Sequence, residues 1–127
     1  MKQLVCVFLG GGVGSCARYL VSSACLAAFG PLFPVGTLVV NVVGCFLLAA
    51  LAELALATSL ISPIVRLTLA VGFLGGLTTY STFSHETFVY LREGALGLGF
   101  GYLAATVLGC LAACLLGQSA ARWFVGP

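Results

Sequence analysis

Apolar residues gather in four long stretches along this chain, parted by short turn-forming segments. The first stretch runs over about residues 3–29 and stops at Gly30-Pro31, with Pro34 close behind. The second covers about 36–58, and a turn signalled by Ser59, Ser62 and Pro63 follows it. The third covers about 64–91. The fourth covers about 95–121, with Arg122 and Trp123 placed to anchor it at a membrane interface. A helix rises about 1.5 Å per residue, so about 20 apolar residues cross the hydrocarbon core of a bilayer. The pattern therefore predicts an all-α membrane protein with four transmembrane helices, forming one domain over 1–127. A barrel would instead need alternating strands of about ten residues.

Composition sharpens this reading. Of 127 residues, 61% are hydrophobic and 6% are charged, where a soluble domain carries about 25% charged residues. Three acids, five bases and one histidine cannot cover a water-soluble globule of this size. A soluble enzyme is excluded, and the four spans leave no room for a separate soluble domain. The net charge of +2 is too small and scattered for a nucleic-acid partner, which needs a basic patch or stripe. The partner surface is the lipid bilayer. Met1-Lys2 before an apolar run imitates a secretory signal, but Arg18 and three further spans point to a retained first helix.

Four spans put both termini on one side. Lys2, Arg66 and Arg122 then stand against Arg92, beside Glu93, and Arg18. So weak a bias fits insertion in both orientations and an antiparallel dimer.

Glycine is frequent in the first and fourth spans. Gly10 with Gly14, and Gly11 with Ser15, place small residues four apart, which lets helices approach closely. As a phosphate loop the same stretch lacks the lysine, the preceding strand and a water-facing setting. The six cysteines, Cys6, Cys16, Cys25, Cys45, Cys110 and Cys114, all lie in apolar stretches without a CxxC pair. They read as small polarizable packing residues.

Polar groups inside a bilayer are costly and tend to be functional. The densest run is Gly75-Gly76-Leu77-Thr78-Thr79-Tyr80-Ser81-Thr82-Phe83-Ser84-His85-Glu86. Adjacent glycines and many hydroxyls predict a third helix broken near its middle, since non-helical backbone at that depth survives only inside protein or beside a cavity. Freed carbonyls there suit a small hard cation, and the following half-helix attracts anions at its N-terminus. The competing expectation is a continuous helix whose hydroxyls bond back to its own carbonyls. The second span adds Asn41, either a ligand or glue between helices, and Glu53 near its end. Tyr102, Thr106 and Cys110 recur at i, i+4 on the fourth span, a stripe that lines a path or packs.

Three motifs, taken in order, cover nearly the whole chain. They are Gly11-Gly12-x-Gly14-x-x-x-Arg18-Tyr19, Pro34-x-Gly36-Thr37-Leu38-x-x-Asn41-x-x-Gly44, and Gly75-Gly76-x-Thr78-Thr79-x-Ser81-Thr82-Phe83-Ser84-x-Glu86. Together they closely resemble the Fluc (CrcB-type) fluoride channels. The resemblance implies an antiparallel dual-topology homodimer in the inner (plasma) membrane, with two narrow fluoride pores built from both subunits. It implies a structural sodium ion at the dimer centre, held by backbone carbonyls at Gly75 and Thr78. It makes Asn41, Tyr80 and Phe83 fluoride contacts, and assigns Ser81, Thr82, Ser84, Glu86, Tyr102, Thr106 and Cys110 to the polar pathway. Arg18, Gly76 and Thr79 take structural roles by the same carry-over. Tyr80 stands where the family usually has phenylalanine, His85 where a small residue is commoner, and Cys110 where serine is usual.

The residue chemistry agrees with that expectation. Fluoride is small and strongly hydrated, so a pore must replace its water with close donors. Amide N–H, hydroxyls and electropositive ring edges do this without a fixed charge that would trap the ion. No ATP-binding loop is recognisable, so transport is expected to be passive. A small proton-coupled multidrug exporter is the alternative of similar size, but it would want an acid in its first span, and none is there.

Overall fold

The computed structural model describes residues 1–58 and 61–125. Ser59, counted above in the second turn, lies outside the described residues. Every element is helical: α1 Lys2–Phe29, α2 Val35–Ala57, α3 Pro63–Leu67, a π-helical turn Thr68–Leu74, α4 Gly75–Leu77, α5 Tyr80–Arg92 and α6 Leu96–Val125. Taken as spans, α1, α2, the stretch Pro63–Arg92 and α6 are each long and apolar enough to cross a membrane. The protein is an all-helical, multi-pass membrane protein.

Local chemistry sets the ends. Gly30, at φ 75°, closes α1 in a conformation that a side chain would strain. Ser62 caps α3, its Oγ accepting from the Val65 amide at 3.4 Å, with Pro63 at the first helical position. Thr58 is extended, and its hydroxyl donates to the Leu54 carbonyl at 2.8 Å, so α2 ends at Ala57. At the other end of the chain α6 continues past Ala121 to Val125. Arg122, Trp123 and Phe124 carry no helix-breaking feature.

Two packed pairs build the body. α2 lies along α6, while α1 lies along the π-helical turn and α4. The second pairing depends on absent side chains. A Cβ on Gly14 would run into the Phe73 carbonyl, and one on Gly76 would sit 2.5 Å from the Gly11 carbonyl oxygen. Helices in lipid gain little from burying apolar surface against each other, so close backbone approach supplies the contact instead. The buried apolar centre is correspondingly small: Val40, Leu74 and Leu77, flanked by Ala17, Val21, Leu51 and Phe73. Large side chains such as Phe8, Leu20, Leu108 and Leu115 point outward, which suits a hydrocarbon solvent.

The third span departs from regularity twice. The π-helical turn had no warning in the sequence pattern. Further along, helical geometry passes through Gly75 and Gly76 and stops after Leu77; Thr78 and Thr79 are extended, and α5 starts at Tyr80. The glycines thus serve close packing, and the threonines two residues on carry the extended backbone. Part of the continuous-helix expectation also appears. The hydroxyls of Thr68, Thr78 and Thr87 donate to the carbonyls of Ile64, Leu74 and Phe83, each four residues back.

Candidate functional site

The extended pair is held from outside its own span. Asn41 on α2 donates from Nδ2 to the Thr79 carbonyl at 3.1 Å and accepts the Thr79 amide on Oδ1 at 2.8 Å. Both residues are buried. Asn41 therefore offers Thr79 what a sheet neighbour would, one donor and one acceptor. A continuous helix would have sent that amide to the Gly75 carbonyl. Thr79 then caps α5: its Oγ1 accepts the Thr82 amide at 3.3 Å and donates to Thr82 Oγ1 at 2.9 Å. The Thr82 amide is in turn withheld from the Thr78 carbonyl. The Gly75 and Thr78 carbonyls thus lose the amides that a continuous helix would have given them.

Nearly two turns into α5, Glu86 ties three spans together. Its Oε1 accepts from the Thr37 hydroxyl of α2 at 2.9 Å, and its Oε2 accepts from the Tyr102 hydroxyl of α6 at 2.7 Å. Tyr102 is fully buried, and three rings meet it edge to face: Phe33 at 5.3 Å, Phe83 at 5.3 Å and Tyr90 at 6.4 Å between centroids. Tyr80 continues the chain of rings, 5.8 Å from Phe83 at an interplanar angle of 60°. These arrangements present polarised ring edges rather than stacked faces.

Beside these rings runs a groove of about 440 Å³, lined by Asn41, Thr78, Thr79, Tyr80, Phe83, Thr106 and Cys110 among others, with Gly75 on its wall. No carboxylate, histidine, lysine or arginine lines it. The Thr106 hydroxyl is buried there without a hydrogen-bond partner among the described residues. Such an orphan costs about 1–3 kcal/mol unless something accepts from it. Tyr80 projects freely, at 80% exposure, while Phe83 is packed.

The structure thus brings Asn41, Gly75, Thr78, Thr79, Tyr80, Phe83, Thr106 and Cys110 to one groove. Glu86 instead faces a smaller pocket near Ser22, Gly36 and Thr37, and Tyr102 links the two regions. Ser81 and Thr82 lie exposed at the start of α5, with Ser81 Oγ 3.4 Å from Thr79 Oγ1, and Ser84 is half-buried. Arg18 is half-buried on α1 and makes no ion pair among the described residues. Glu53 pairs with Arg122 at 2.9 Å and accepts from Gln118 at 2.9 Å, well away from the groove. Thr37, Phe33 and Tyr90 belong to the site but were not singled out from the sequence. For Thr37 the signal was present: a hydroxyl beside Gly36 in the first turn of an otherwise apolar span.

Residues 5–118 match a family model described as CrcB-like protein, Camphor Resistance (CrcB). The chain belongs to the CrcB family. Its relatives include a protein of Anaeromyxobacter dehalogenans, 50% identical over 126 residues, which covers 99% of this chain and all of that one. Another, from Geobacter metallireducens, is 47% identical over 122 residues, 96% of this chain and 98% of its own. A third, from Sorangium cellulosum, is 44% identical over 122 residues and covers 96% of both. All three CrcB relatives carry the name Fluoride-specific ion channel FluC.

Proposed function

We propose that this CrcB protein is a passive, fluoride-selective channel of the plasma membrane. The observation that carries the reading is the groove: an unpartnered buried hydroxyl at Thr106, the Asn41 amide and the edges of Tyr80 and Phe83 meet there, with no ionised side chain. A desolvated fluoride needs hydrogen-bond donors and positive ring edges, yet a full positive charge would hold it too tightly to leave. Asn41 spends one N–H on Thr79 and keeps a second for the ion. The names of the relatives support the choice of fluoride among small anions.

In this reading the pathway continues from the groove through Ser81, Thr82 and Ser84 on α5, and along Tyr102, Thr106 and Cys110 on α6. Glu86 organises it by fixing Thr37 and Tyr102, so that its carboxylate oxygens are occupied rather than presented to an anion. The exposure of Tyr80 and of the groove's open side supports assembly as a homodimer, antiparallel in keeping with the weak charge bias. Each of its two pores is then completed by the other subunit. The carbonyls of Gly75 and Thr78, released from the Thr79 and Thr82 amides by the extended backbone, suit a sodium ion at the dimer centre. Neutral carbonyl oxygens suit a hard cation. When bound, sodium supplies a fixed positive charge that holds the interrupted spans in register.

Transport follows the electrochemical gradient. A negative-inside potential drives the anion outward by about 2.3 kcal/mol per 100 mV. The test is efflux from liposomes carrying the purified protein: fluoride should leave and chloride should stay. Comparable chloride flux, or a requirement for a proton gradient, would refute the reading. Labelling a terminal cysteine from each side of the membrane tests the assembly, and a single orientation throughout would rule out dual topology.

A further inference from the structure

Residues 30–34 connect α1 to α2 and wall the pocket that Glu86 faces. Gly30, Pro31, Phe33 and Pro34 line that cavity of about 250 Å³ together with Thr37 and Glu86. Backbone bonding does little to fix the connection: the Val35 amide donates to the Phe33 carbonyl at 2.8 Å, and the two prolines have no amide to give. One side chain from another span grips it. The Tyr90 hydroxyl of α5 donates to the Leu32 carbonyl at 2.6 Å, the only side-chain hydrogen bond to the connection among the described residues. Tyr90 is itself firmly placed. Its carbonyl accepts the Ala95 amide at 2.9 Å, and a Cβ on Gly99 would come within 3.3 Å of its Cβ, so α6 backs it closely. Next to Leu32, Phe33 meets the Tyr102 ring edge to face at 5.3 Å.

We propose that Tyr90 is a positioning residue for fluoride passage: its hydroxyl latches the 30–34 connection, and through Phe33 it keeps Tyr102 on Glu86. The proposal rests on the channel reading, in which the Tyr102 hydroxyl occupies Glu86 Oε2. Three rings meet Tyr102, and Phe33 is the one among them that stands on no helix. A neutral hydrogen bond shifts an opening equilibrium by about two- to tenfold. Without it the connection opens more often, yet the helices stay packed. Each opening takes the Phe33 ring away from Tyr102. The Tyr102 hydroxyl then leaves Oε2 more often, and a bare carboxylate oxygen faces the approaching anion and repels it. The Tyr90 ring, 6.4 Å from Tyr102, adds a contact of its own, but the grip on Leu32 belongs to the hydroxyl alone.

The test is Tyr90→Phe in the full chain, which removes the hydroxyl and keeps the ring. Amide hydrogen exchange, read by mass spectrometry, reports the connection directly. Exchange over residues 30–38 should quicken by about two- to tenfold, while the α2–α6 seam around Cys45 and Cys114 keeps its wild-type rate. Unchanged exchange over 30–38, or an equal quickening throughout the chain, overturns the latch. In liposomes the same variant should slow fluoride efflux by at least about twofold. Phe33→Leu should slow it comparably, and Phe33→Met replaces it if leucine lowers the folded yield. Tyr90→Phe added to that variant should slow efflux no further, as expected when one residue acts through the other. Quickened exchange with wild-type efflux, or additive losses in the double variant, overturns the positioning role. Absence of any fluoride efflux from the unsubstituted protein would count against the channel reading alone, since exchange still decides the latch.

Discussion

Asn41 and Thr79 form a closed ring of two hydrogen bonds, side-chain amide to backbone amide, 38 positions apart in the chain. The relationship gives Asn41 two duties, supporting an extended backbone and offering a donor to the groove. Different substitutions separate them. Asn41→Ala leaves the buried Thr79 amide without an acceptor and should cost about 1–3 kcal/mol of stability, read as a lower thermal midpoint in detergent. Asn41→Asp keeps the acceptor for that amide but sets an oxygen against the Thr79 carbonyl and a negative charge beside the path. Like charges at close range cost several kcal/mol, so fluoride efflux should fall by at least about a hundredfold.

Tyr80 and Phe83 test which part of the ring meets the ion. Phe83→Ile removes a ring edge at similar hydrophobicity and should abolish efflux. Tyr80→Ile should do likewise, whereas Tyr80→Phe should retain efflux if the edge matters and the hydroxyl does not. A severe slowing in Tyr80→Phe would make the hydroxyl the donor. Unchanged efflux in both isoleucine variants would remove this face of α5 from the pathway.

Tyr102→Phe deletes the donor to Glu86 Oε2 but keeps the three edge-to-face contacts. A hydrogen bond to a charged group contributes about 1.5–3 kcal/mol, and a loss of that order is expected in thermal unfolding. Tyr102→Ala also empties the centre of the ring cluster and should cost a further 3–5 kcal/mol or so, as large-to-small core changes do. Equal losses in the two variants would show that the rings contribute nothing.

Gly14 and Gly12 make a controlled pair on α1. A methyl at Gly14 collides with the Phe73 carbonyl, whereas one at Gly12 meets nothing within 4 Å. Gly14→Ala should therefore sharply reduce the yield of folded protein. Gly12→Ala should be neutral or stabilise by up to about 1 kcal/mol through helix propensity. Matching yields in size-exclusion chromatography would argue against backbone contact between α1 and the third span.

Much of this was legible in the chain itself. Uninterrupted apolar stretches can cross a bilayer only as helices, so the four spans follow from hydropathy and backbone hydrogen bonding alone. The gathering of polar groups between Gly75 and Glu86 was equally plain. What the sequence could not convey is pairing across spans. Nothing in the spacing of Asn41 says that it meets Thr79, or in that of Tyr102 that it meets Glu86, because those partners are set by helix rotation and depth. The extended backbone at Thr78–Thr79, rather than at Gly75–Gly76, depends on the same distant amide. Glycines at 75 and 76 signal loss of helix propensity, yet their missing side chains are spent on contact with α1. The π-helical turn has no local signature.

The spans are fastened unequally. α2 and α6 are joined through Glu86 at one end, by Cys114 and Cys45 along the seam, and by Glu53 with Gln118 and Arg122 at the other end. α1 shares no side-chain hydrogen bond with any of its neighbours among the described residues; close backbone approach holds it, with Ala17 and Val21 against the small apolar centre. Contacts of that kind have short range and vanish after a displacement of an ångström or two. Under a pulling force applied at the N-terminus, the first span is the brittle one: it detaches as a unit, and the remaining three come away as a tougher, cross-tied piece.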